Sequence, residues 1–269
     1  MTPGAPSASV GVVWQAGSHT TWRANLSSAF RAPNVDDVGK VFDSEPGLVI
    51  VPNPALQPEY AYNLDLALVQ RFGNWLRLDV TGFYTYLDNA MVRDDFQFNG
   101  QDSIYYDGEL SKVQALVNTA SARIYGLNLL VDADIMESLS LSTSFNITYG
   151  QDNRGLPLRH VTPAFGATHL IYKNHGLKLD LYANYSAGYS YAQLAPEEQN
   201  KPHLYARDAA GNPYFPAWVT LNFSSSMLLS RFVQFNLGLE NLLDARYKTY
   251  SSGLVAPGFN IKAGLRAYF

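Results

Sequence analysis

The sequence predicts an all-β fold, an antiparallel transmembrane β-barrel with about eleven strands. Of its 269 residues, 47% are hydrophobic but only 16% are charged, against roughly 25% in an ordinary soluble domain. The mean hydropathy is −0.12, as expected where only every second strand residue meets lipid. No run approaches the about 18 apolar residues that a membrane helix needs.

The C-terminal hairpin shows the pattern most clearly. Every odd position in residues 259–269 is apolar, whereas the even positions are Asn, Lys, Gly, Arg and Tyr. Residues 232–242 repeat this alternation. Because a β-strand sends alternate side chains to opposite faces, one face is apolar and the other is polar. Segments of about 11 residues suit tilted strands that cross a bilayer.

The first four strands surround one long polar stretch. Residues 7–16 alternate weakly and stop at a Gly-Ser turn, and residues 21–30 alternate better. After the polar stretch 31–58, residues 59–69 place tyrosine and leucine on one face. A Phe-Gly-Asn turn signal then leads to residues 75–87, whose even positions are mostly apolar.

Five further strands precede the closing hairpin. Residues 123–134 place leucine and valine on one face, and residues 139–149 give the cleanest alternation in the chain. Residues 163–173 read as a strand whose faces cannot be assigned. Residues 177–185 follow an Asn-His-Gly turn, and residues 218–228 complete the set.

The connections alternate between short turns and long loops. The long connections are residues 31–58, 88–118, 150–162, 190–216 and 244–257, and the second of them is expected to hold a short hairpin. Outer-membrane barrels have short periplasmic turns and long external loops. The long connections are therefore predicted to be external, with the C-terminus facing the periplasm.

Eleven is an odd number of strands, whereas single-chain bacterial barrels have even numbers. Residues 1–6 also lack the charged and apolar regions of a secretory signal. We therefore expect residues 1–269 to be a single unit that forms part of a larger barrel.

Two short segments carry a family resemblance. FRAPNVDD at residues 30–37 and NPALQPE at residues 53–59 resemble the paired FRAP and NPxLxPE boxes of TonB-dependent outer-membrane receptors. Residues 240–258, with the C-terminal Phe269, are similar to the family's last extracellular loop. The resemblance spans essentially the whole chain and implies roughly strands 12 to 22 of a 22-stranded barrel.

The resemblance implies active import of a scarce nutrient. In such receptors a ligand binds the external loops, an N-terminal plug fills the barrel, and an inner-membrane energy-coupling complex pulls on a box ahead of the plug. Neither plug nor box is in this sequence, so this chain alone is expected neither to gate nor to transport. The implied partners are outer-membrane lipid, the coupling complex through the missing plug, and a small iron chelate or similar ligand.

The class of ligand stays open among ferric siderophore, haem and cobalamin, in that order. No histidine lies between Phe30 and Glu59, where haem-receiving members typically carry an axial ligand, and this argues against haem. A passive porin or structural barrel is the main alternative function, and a soluble β-sandwich is the alternative fold. No nucleic acid is expected, because the net charge is −4 and there is no basic stripe.

Catalytic and cofactor motifs are absent from the sequence. There is no HExxH, GxSxG, phosphate loop or dinucleotide fingerprint. The sequence therefore predicts no enzyme, catalytic residue, cofactor or metal centre.

Nine polar residues in the predicted external loops are the candidate ligand-binding residues, because loops carry recognition and Arg and Tyr dominate contacts. They are Arg31, Asn34, Asp36, Asp37, Arg159, His160, His203, Tyr205 and Arg207. The alternative interpretation is that these are ordinary polar loop residues that contact only solvent. The acidic cluster Asp36, Asp37, Asp43 and Glu45 could hold a cation, but its spacing matches no EF-hand loop and solvation is favoured.

Two further sets of residues have predicted orientations. The asparagines of four Asn-x-Ser/Thr triplets are predicted to face the barrel interior: Asn25, Asn146, Asn184 and Asn222. Seven aromatic residues near strand ends are predicted to form interfacial girdles, with ligand stacking as the alternative. They are Trp22, Trp75, Tyr84, Tyr86, Tyr149, Tyr185 and Trp218.

Overall fold

A computed structural model describes residues 6–118, 121–201 and 203–269. Its strands in chain order are β1 Ala8–Gln15, β2 Thr20–Arg31, β3 Phe42–Glu45, β4 Leu48–Val51, β5 Glu59–Phe72, β6 Leu76–Asp88, β7 Met91–Asp95, β8 Ser103–Tyr106, β9 Glu109–Asn118, β10 Ser121–Met136, β11 Leu139–Asp152, β12 Phe165–Asn174, β13 Leu177–Ser186, β14 Ala206–Arg207, β15 Pro213–Tyr214, β16 Trp218–Ser230, β17 Val233–Glu240 and β18 Asn260–Ala267. The helices are α1 Val35–Gly39, α2 Pro196–Gln199 and the 3₁₀ helix Tyr191–Gln193. None of the helices in these ranges has the length and apolar character needed to span a membrane.

Eleven of the strands in the described ranges form one antiparallel sheet in the order β1-β2-β5-β6-β10-β11-β12-β13-β16-β17-β18. Every strand pairs with its neighbour along the sheet, so long and short connections alternate as predicted. All long connections leave from one end, called here the long-loop end, and all tight turns leave from the opposite short-turn end. The edge strands β1 and β18 both run toward the short-turn end.

One face of this sheet is apolar from edge to edge. Val10 lies opposite Leu26, which lies opposite Leu64. At the other edge Leu239 lies opposite Ile261. Directly opposite residues share a face, so the register brings the apolar positions of all eleven strands into one continuous surface.

The opposite face is polar and hydrogen-bonded. Asn63 and Asn25 donate to the Asp65 carboxylate at 2.7 and 3.4 Å, and Lys262 donates to Glu240 at 2.6 Å. The four triplet asparagines all share this face through their register partners, as predicted: Asn25, Asn146, Asn184 and Asn222. The polar face is therefore the one suited to water and to other protein groups.

The strand whose faces the sequence left unassigned is β12. Leu170 lies opposite Leu181 on the apolar face, whereas His169 bonds to Asp180 on the polar face at 3.0 Å. The alternation is obscured because Gly166 occupies an apolar-face position. A Cβ at Gly166 would lie 2.4 Å from the backbone carbonyl oxygen of Ser144, so glycine is required there.

The apolar face carries an aromatic band near each end. Trp22 lies opposite Trp14 near the short-turn end. Near the long-loop end the rings of Tyr84, Tyr125 and Tyr149 follow one another at centroid distances of 6.5 and 5.7 Å. These positions fit the predicted girdles.

Trp218 departs from the girdle prediction. It shares the polar face with Thr220 and Asn222, and its ring centroid lies 4.3 Å from that of Tyr247 in the last long connection. The interfacial role predicted for Trp218 was therefore wrong. The apolar set of β16 begins one position later, at Val219, and an aromatic residue at a strand end does not reveal its own face.

The first two long connections together build a second, five-stranded sheet from β3, β4, β7, β8 and β9. The predicted hairpin appears as β8 and β9, and β4 joins β9 in parallel. Val49, Val51, Val113 and Ala115 form its core, each at most 1% exposed. The loops at this end are thus packed structures with a hydrophobic core of their own.

Gly126 on β10 gives a test of the wall packing. A Cβ there would lie 2.2 Å from the Ile147 carbonyl oxygen and 2.7 Å from the Phe83 ring. We expect Gly126→Ala to lower the free energy of unfolding by about 1–3 kcal/mol, as overpacking does. The measurement is the denaturant midpoint of the detergent-folded protein, with unfolding monitored by heat-modifiable gel mobility. The control is Gly82→Ala, whose added Cβ would meet its nearest neighbour at 4.0 Å. Equal midpoints for the two variants would contradict the described packing.

Candidate functional site

The two boxes meet at the long-loop end of β2 and β5. Arg31 ends β2 directly opposite Glu59, which begins β5, and Arg31 Nη1 lies 3.9 Å from Glu59 Oε1. Arg31 Nη2 also lies 3.0 Å from Asp37 Oδ2. The Asp37 carboxylate accepts the Asn34 N–H at 2.9 Å, and Asn34 Oδ1 accepts the Asp37 N–H at 3.0 Å, a capping box that starts α1. The boxes therefore form one junction that fixes where the first long connection leaves the wall.

The second box is also tied to the second long connection. Asn53 is 8% exposed, donates to the Leu116 carbonyl at 2.8 Å and accepts the Ala55 N–H at 3.0 Å. Asn118 accepts the Gln57 N–H at 2.8 Å and donates back to the Gln57 carbonyl at 3.0 Å. These paired bonds hold the two loops together as one unit.

A cavity of about 350 Å³ opens beside this junction, on the polar face at the long-loop end. Its floor includes wall residues such as Leu87 and Ala122, and its sides come from the long connections. We call it the arginine cavity after the four arginines that line it: Arg31, Arg93, Arg154 and Arg159. Three carboxylates line it as well: Glu59, Asp152 and Glu197. Cationic groups thus outnumber anionic groups around an otherwise largely apolar space.

Neighbouring side chains hold these guanidinium groups in place. Arg154 donates through Nε to Asp152 at 2.9 Å and through Nη1 to Asp94 at 3.0 Å. Arg93 lies over the Phe42 ring, with its guanidinium carbon 5.4 Å from the centroid. A guanidinium has five N–H donors, so the two bonds of Arg154 leave donors for an oxygen-bearing ligand.

Glu198 joins three of the long connections. It lies in α2 and is completely buried, at 0% exposure. Its Oε1 accepts from Arg159 Nε at 2.9 Å, and its Oε2 accepts from Tyr205 Oη at 2.5 Å and from Ser251 Oγ at 3.2 Å. We call these four residues the Glu198 hub. The hub fixes Arg159 at the edge of the arginine cavity.

The hub is electrostatically matched. Burial acts to raise the pKa of Glu198, but the hydrogen bonds from Tyr205 and Arg159 outweigh it and lower that pKa below the usual value of 4.5. Burial and the bond to Glu198 raise the pKa of Tyr205. At neutral pH the carboxylate is therefore charged and the phenol remains a donor.

His160 lies beside Arg159 and lines the same cavity. Its backbone has a φ of 64°, in the left-handed region where histidine is one of the enriched non-glycine residues. Partial burial of the ring and the charge of Arg159 lower the pKa of His160. The imidazole is therefore neutral at pH 7 and can accept as well as donate a hydrogen bond.

The structure brings together three of the nine predicted binding residues, Arg31, Arg159 and His160, around the arginine cavity. Asn34 and Asp37 cap α1 beside it. All five were predicted as ligand-binding residues, and the structure assigns Asn34 and Asp37 a helix-capping role.

The other four predicted residues lie elsewhere. Asp36 and His203 are exposed, Tyr205 belongs to the Glu198 hub, and Arg207 donates to the Gly211 carbonyl at 2.9 Å in the β14–β15 hairpin. Across residues 6–118, 121–201 and 203–269, no group of three or more His, Cys, Asp or Glu is placed to hold a metal ion. The acidic cluster gains no support as a cation site, and the side chain of its member Glu45 lies outside the described residues.

Sequence reasoning missed Arg93, Arg154 and Glu198. Arg154 lies in an Asp-Asn-Arg-Gly turn directly after β11, and a charged residue at that point of a wall strand could have been flagged. Arg93 and Glu198 gave no such signal, because a charged residue in a polar loop reads as solvated until the loops pack.

The structure thus combines a membrane-type β-barrel wall with a cavity of about 350 Å³ at its long-loop end. The chain belongs to the TonB dependent receptor-like β-barrel family, whose family profile matches residues 2–242. The family places the chain in an outer-membrane barrel.

Two curated relatives are iron-regulated outer membrane virulence proteins of Vibrio cholerae serotype O1. One is 28% identical over 156 residues, which is 53% of this chain and 22% of that protein. The other is 29% identical over 150 residues, again 53% of this chain and 22% of the relative. The match thus spans about a fifth of the length of these relatives.

Solved structures share the fold. The siderophore receptor PirA from Acinetobacter baumannii aligns with a TM-score of 0.74 at 17% identity over 97% of this chain and 41% of that chain. A ferric enterobactin receptor (PfeA) variant from Pseudomonas aeruginosa gives 0.76 at 16% identity, over 97% and 40%. The copper transporter OprC gives 0.75 at 15% identity, over 97% and 39%. The chain spans about two fifths of the length of each of these three chains.

The Glu198 hub gives a test of loop assembly. Glu198→Gln keeps the shape but removes the charge that Arg159 and Tyr205 bind, and replaces one acceptor oxygen by an amide donor. We expect amide hydrogen exchange in residues 191–205 to quicken about tenfold or more at neutral pH, since hydrogen bonds to charged groups are worth about 1.5–3 kcal/mol. The control is Glu197→Gln, which removes the same charge from the neighbouring position. Identical exchange in both variants would show that the hub does not hold the loops.

Acid should act on the hub as this substitution does. The pKa of Glu198 is lower in the folded protein, so its stabilising contribution is complete above about pH 4.5 and is lost as the pH falls through the lowered folded value. The same exchange measurement, corrected for the intrinsic pH dependence of amide exchange, should therefore show no loosening between pH 7 and pH 5. Residues 191–205 should loosen only at a pH below about 4.5.

Proposed function

We propose that this chain is the ligand-recognising and pore-forming barrel part of an outer-membrane receptor for energy-coupled uptake of a scarce nutrient. The ligand we propose is a ferric siderophore. The observation that carries the proposal is the arginine cavity, on the polar face at the long-loop end of a barrel of this family. The proposed partners are the ligand and, through a plug outside this chain, the inner-membrane energy-coupling complex; no catalytic step is involved.

The cavity chemistry supports an anionic, oxygen-rich ligand. Guanidinium groups bind such oxygens through charge-assisted and often bidentate hydrogen bonds. The four cavity arginines are already positioned by neighbouring groups, so less conformational entropy is lost when a ligand binds. Compact metal chelates of carboxylate or catecholate ligands have this chemistry. Two of the structural neighbours are named as siderophore or ferric enterobactin receptors.

Haem is the second candidate, and His160 is the observation that favours it. A neutral imidazole at the cavity is the form that ligates iron, and the pKa of His160 is lowered. Against haem stands the lack of any histidine between Phe30 and Glu59. No feature of the arginine cavity favours cobalamin, which is therefore the third candidate.

The uptake test uses iron-starved cells whose only iron receptor is the full-length protein containing this chain. Radioactive iron is supplied as a panel of ferric siderophores or as haem. We expect uptake from a ferric siderophore and loss of that uptake when the energy-coupling protein is deleted. Import that persists without energy coupling would identify a passive porin instead, and uptake from haem alone would select the second candidate.

One cavity arginine then tests the site itself. Arg154→Gln should raise the siderophore concentration for half-maximal uptake about tenfold, since one charge-assisted contact contributes about 1.4 kcal/mol or more. The control is Arg71→Gln, which removes an exposed arginine at the short-turn end of β5. If Arg154→Gln and the control show the same siderophore concentration for half-maximal uptake, the arginine cavity is not the ligand site.

The same proposal orients the barrel with its long-loop end outside the cell and its C-terminus in the periplasm. The chain contains no cysteine, so single cysteines can report on this topology. Leu254 is 82% exposed in the last long connection, and Ser18 lies in the first tight turn. We expect a membrane-impermeant maleimide to label Leu254→Cys but not Ser18→Cys in intact cells, and to label both after lysis. The opposite labelling pattern would show that the long-loop end faces the periplasm.

A further inference from the structure

A second cavity lies at the long-loop end, apart from the arginine cavity. It has a volume of about 260 Å³ and lies between the connection that precedes β16 and the connection between β17 and β18. Trp218 and Tyr247 line it, together with Phe215 and Leu204, and the cations Arg246 and Lys248. We call it the tryptophan cavity. None of its described lining residues is shared with the arginine cavity.

The walls of the tryptophan cavity combine apolar surface with positive charge. Its lining comprises apolar and aromatic side chains plus Arg246 and Lys248, and none of the described lining residues is a carboxylate. Glu198, which accepts from the lining residue Tyr205, is also bonded to Arg159 and Ser251. Lys248 Nζ donates to the Leu204 carbonyl at 3.4 Å. The two cations therefore give the cavity a positive potential that no lining acid cancels.

The Trp218 ring contributes aromatic surface to the tryptophan cavity. Its centroid lies 4.3 Å from that of the Tyr247 ring, and both residues line the cavity. The Trp218 Nε1–H has no hydrogen-bond acceptor among the described residues, but the atom is buried, as is the unpaired Nε of Arg77. The indole N–H therefore does not face the cavity, and what Trp218 offers an occupant is a flat apolar wall.

These features specify the chemistry of an occupant. A negative charge is needed for the two cations, and a flat apolar body for the aromatic walls. The volume lies just below the roughly 300–1,000 Å³ of drug-sized sites, so it suits a single ring. We propose that the tryptophan cavity is a second binding site, which takes a small aromatic carboxylate with one ring and one anionic group.

This site goes beyond the proposed uptake function and does not depend on it. Binding here needs neither energy coupling nor an iron ligand in the arginine cavity. A failed uptake experiment therefore leaves this proposal standing, and a failed binding experiment leaves the uptake proposal standing.

The first test compares three probes of one shape on the full-length protein in detergent, labelled with ¹⁵N at the tryptophan indoles. The probes are benzoate, the neutral benzamide and the cationic benzylamine. We expect saturable binding of benzoate, at least tenfold weaker binding of benzamide and none of benzylamine. The Trp218 indole signal, assigned by its absence in Trp218→Phe, should shift with benzoate. Equal affinity for benzoate and benzamide, or an unmoved Trp218 signal at saturation, would overturn the proposal.

The second test removes the cations one at a time. Arg246→Gln and Lys248→Gln should each weaken benzoate binding about tenfold and leave benzamide binding unchanged. The control is Arg231→Gln. Arg231 lies in the tight turn between β16 and β17, at the short-turn end, with its guanidinium over the Phe232 ring. Heat-modifiable gel mobility verifies folding of each variant. Benzoate affinity unchanged in both cavity variants would overturn the proposal, and the three-probe series on the native protein does not depend on any variant.

Discussion

The need to pair every backbone N–H and C=O group in an apolar medium governs this structure. A bilayer interior offers no water to replace a missing hydrogen bond, so strands can cross it only as a continuous ladder. A slip of one residue between two strands would move a whole set of side chains to the wrong face. The register between β2 and β5 shows the result: it places Leu26 opposite Leu64 on one face and Asn25 opposite Asp65 on the other. Pairing and burial thus select the same register.

The same ladder determines what the two sheet edges need. Eleven antiparallel strands leave β1 and β18 running in the same direction, so direct closure of one edge on the other would require a parallel pair. Antiparallel closure requires further strands that run the opposite way at both edges. The structural relatives, of which this chain covers about two fifths, are long enough to provide such strands. The described sheet is therefore open at β1 and β18, and each of these edges can pair with a further strand.

The eleven wall strands could be predicted because two-residue periodicity is a local signal. Residues 139–149 alternate cleanly, and β11 covers them. Where a local exception interrupts the period, as at Gly166 on β12 or Trp218 on β16, sequence reasoning lost the face or chose the wrong one. The sheet built from β4 and β9 was beyond reach for a different reason. Its core pairs Val49 with Val113, two residues brought together only by the folding of separate loops.

The residues of the candidate site show the same difference between what local sequence predicts and what only the packed loops reveal. Arg31 could be predicted because it ends a wall strand, and the strand register alone places it opposite Glu59. Glu198 could not, because its role depends on Arg159 and Ser251 arriving from two other connections. A buried carboxylate cannot lose its partners cheaply, so Arg159 cannot swing fully into the arginine cavity without a compensating bond. Tyr205, bonded to the same carboxylate, lines the tryptophan cavity. One buried charge thus fixes a wall residue of each cavity, and the shape of either space depends on bonds made in the other loop.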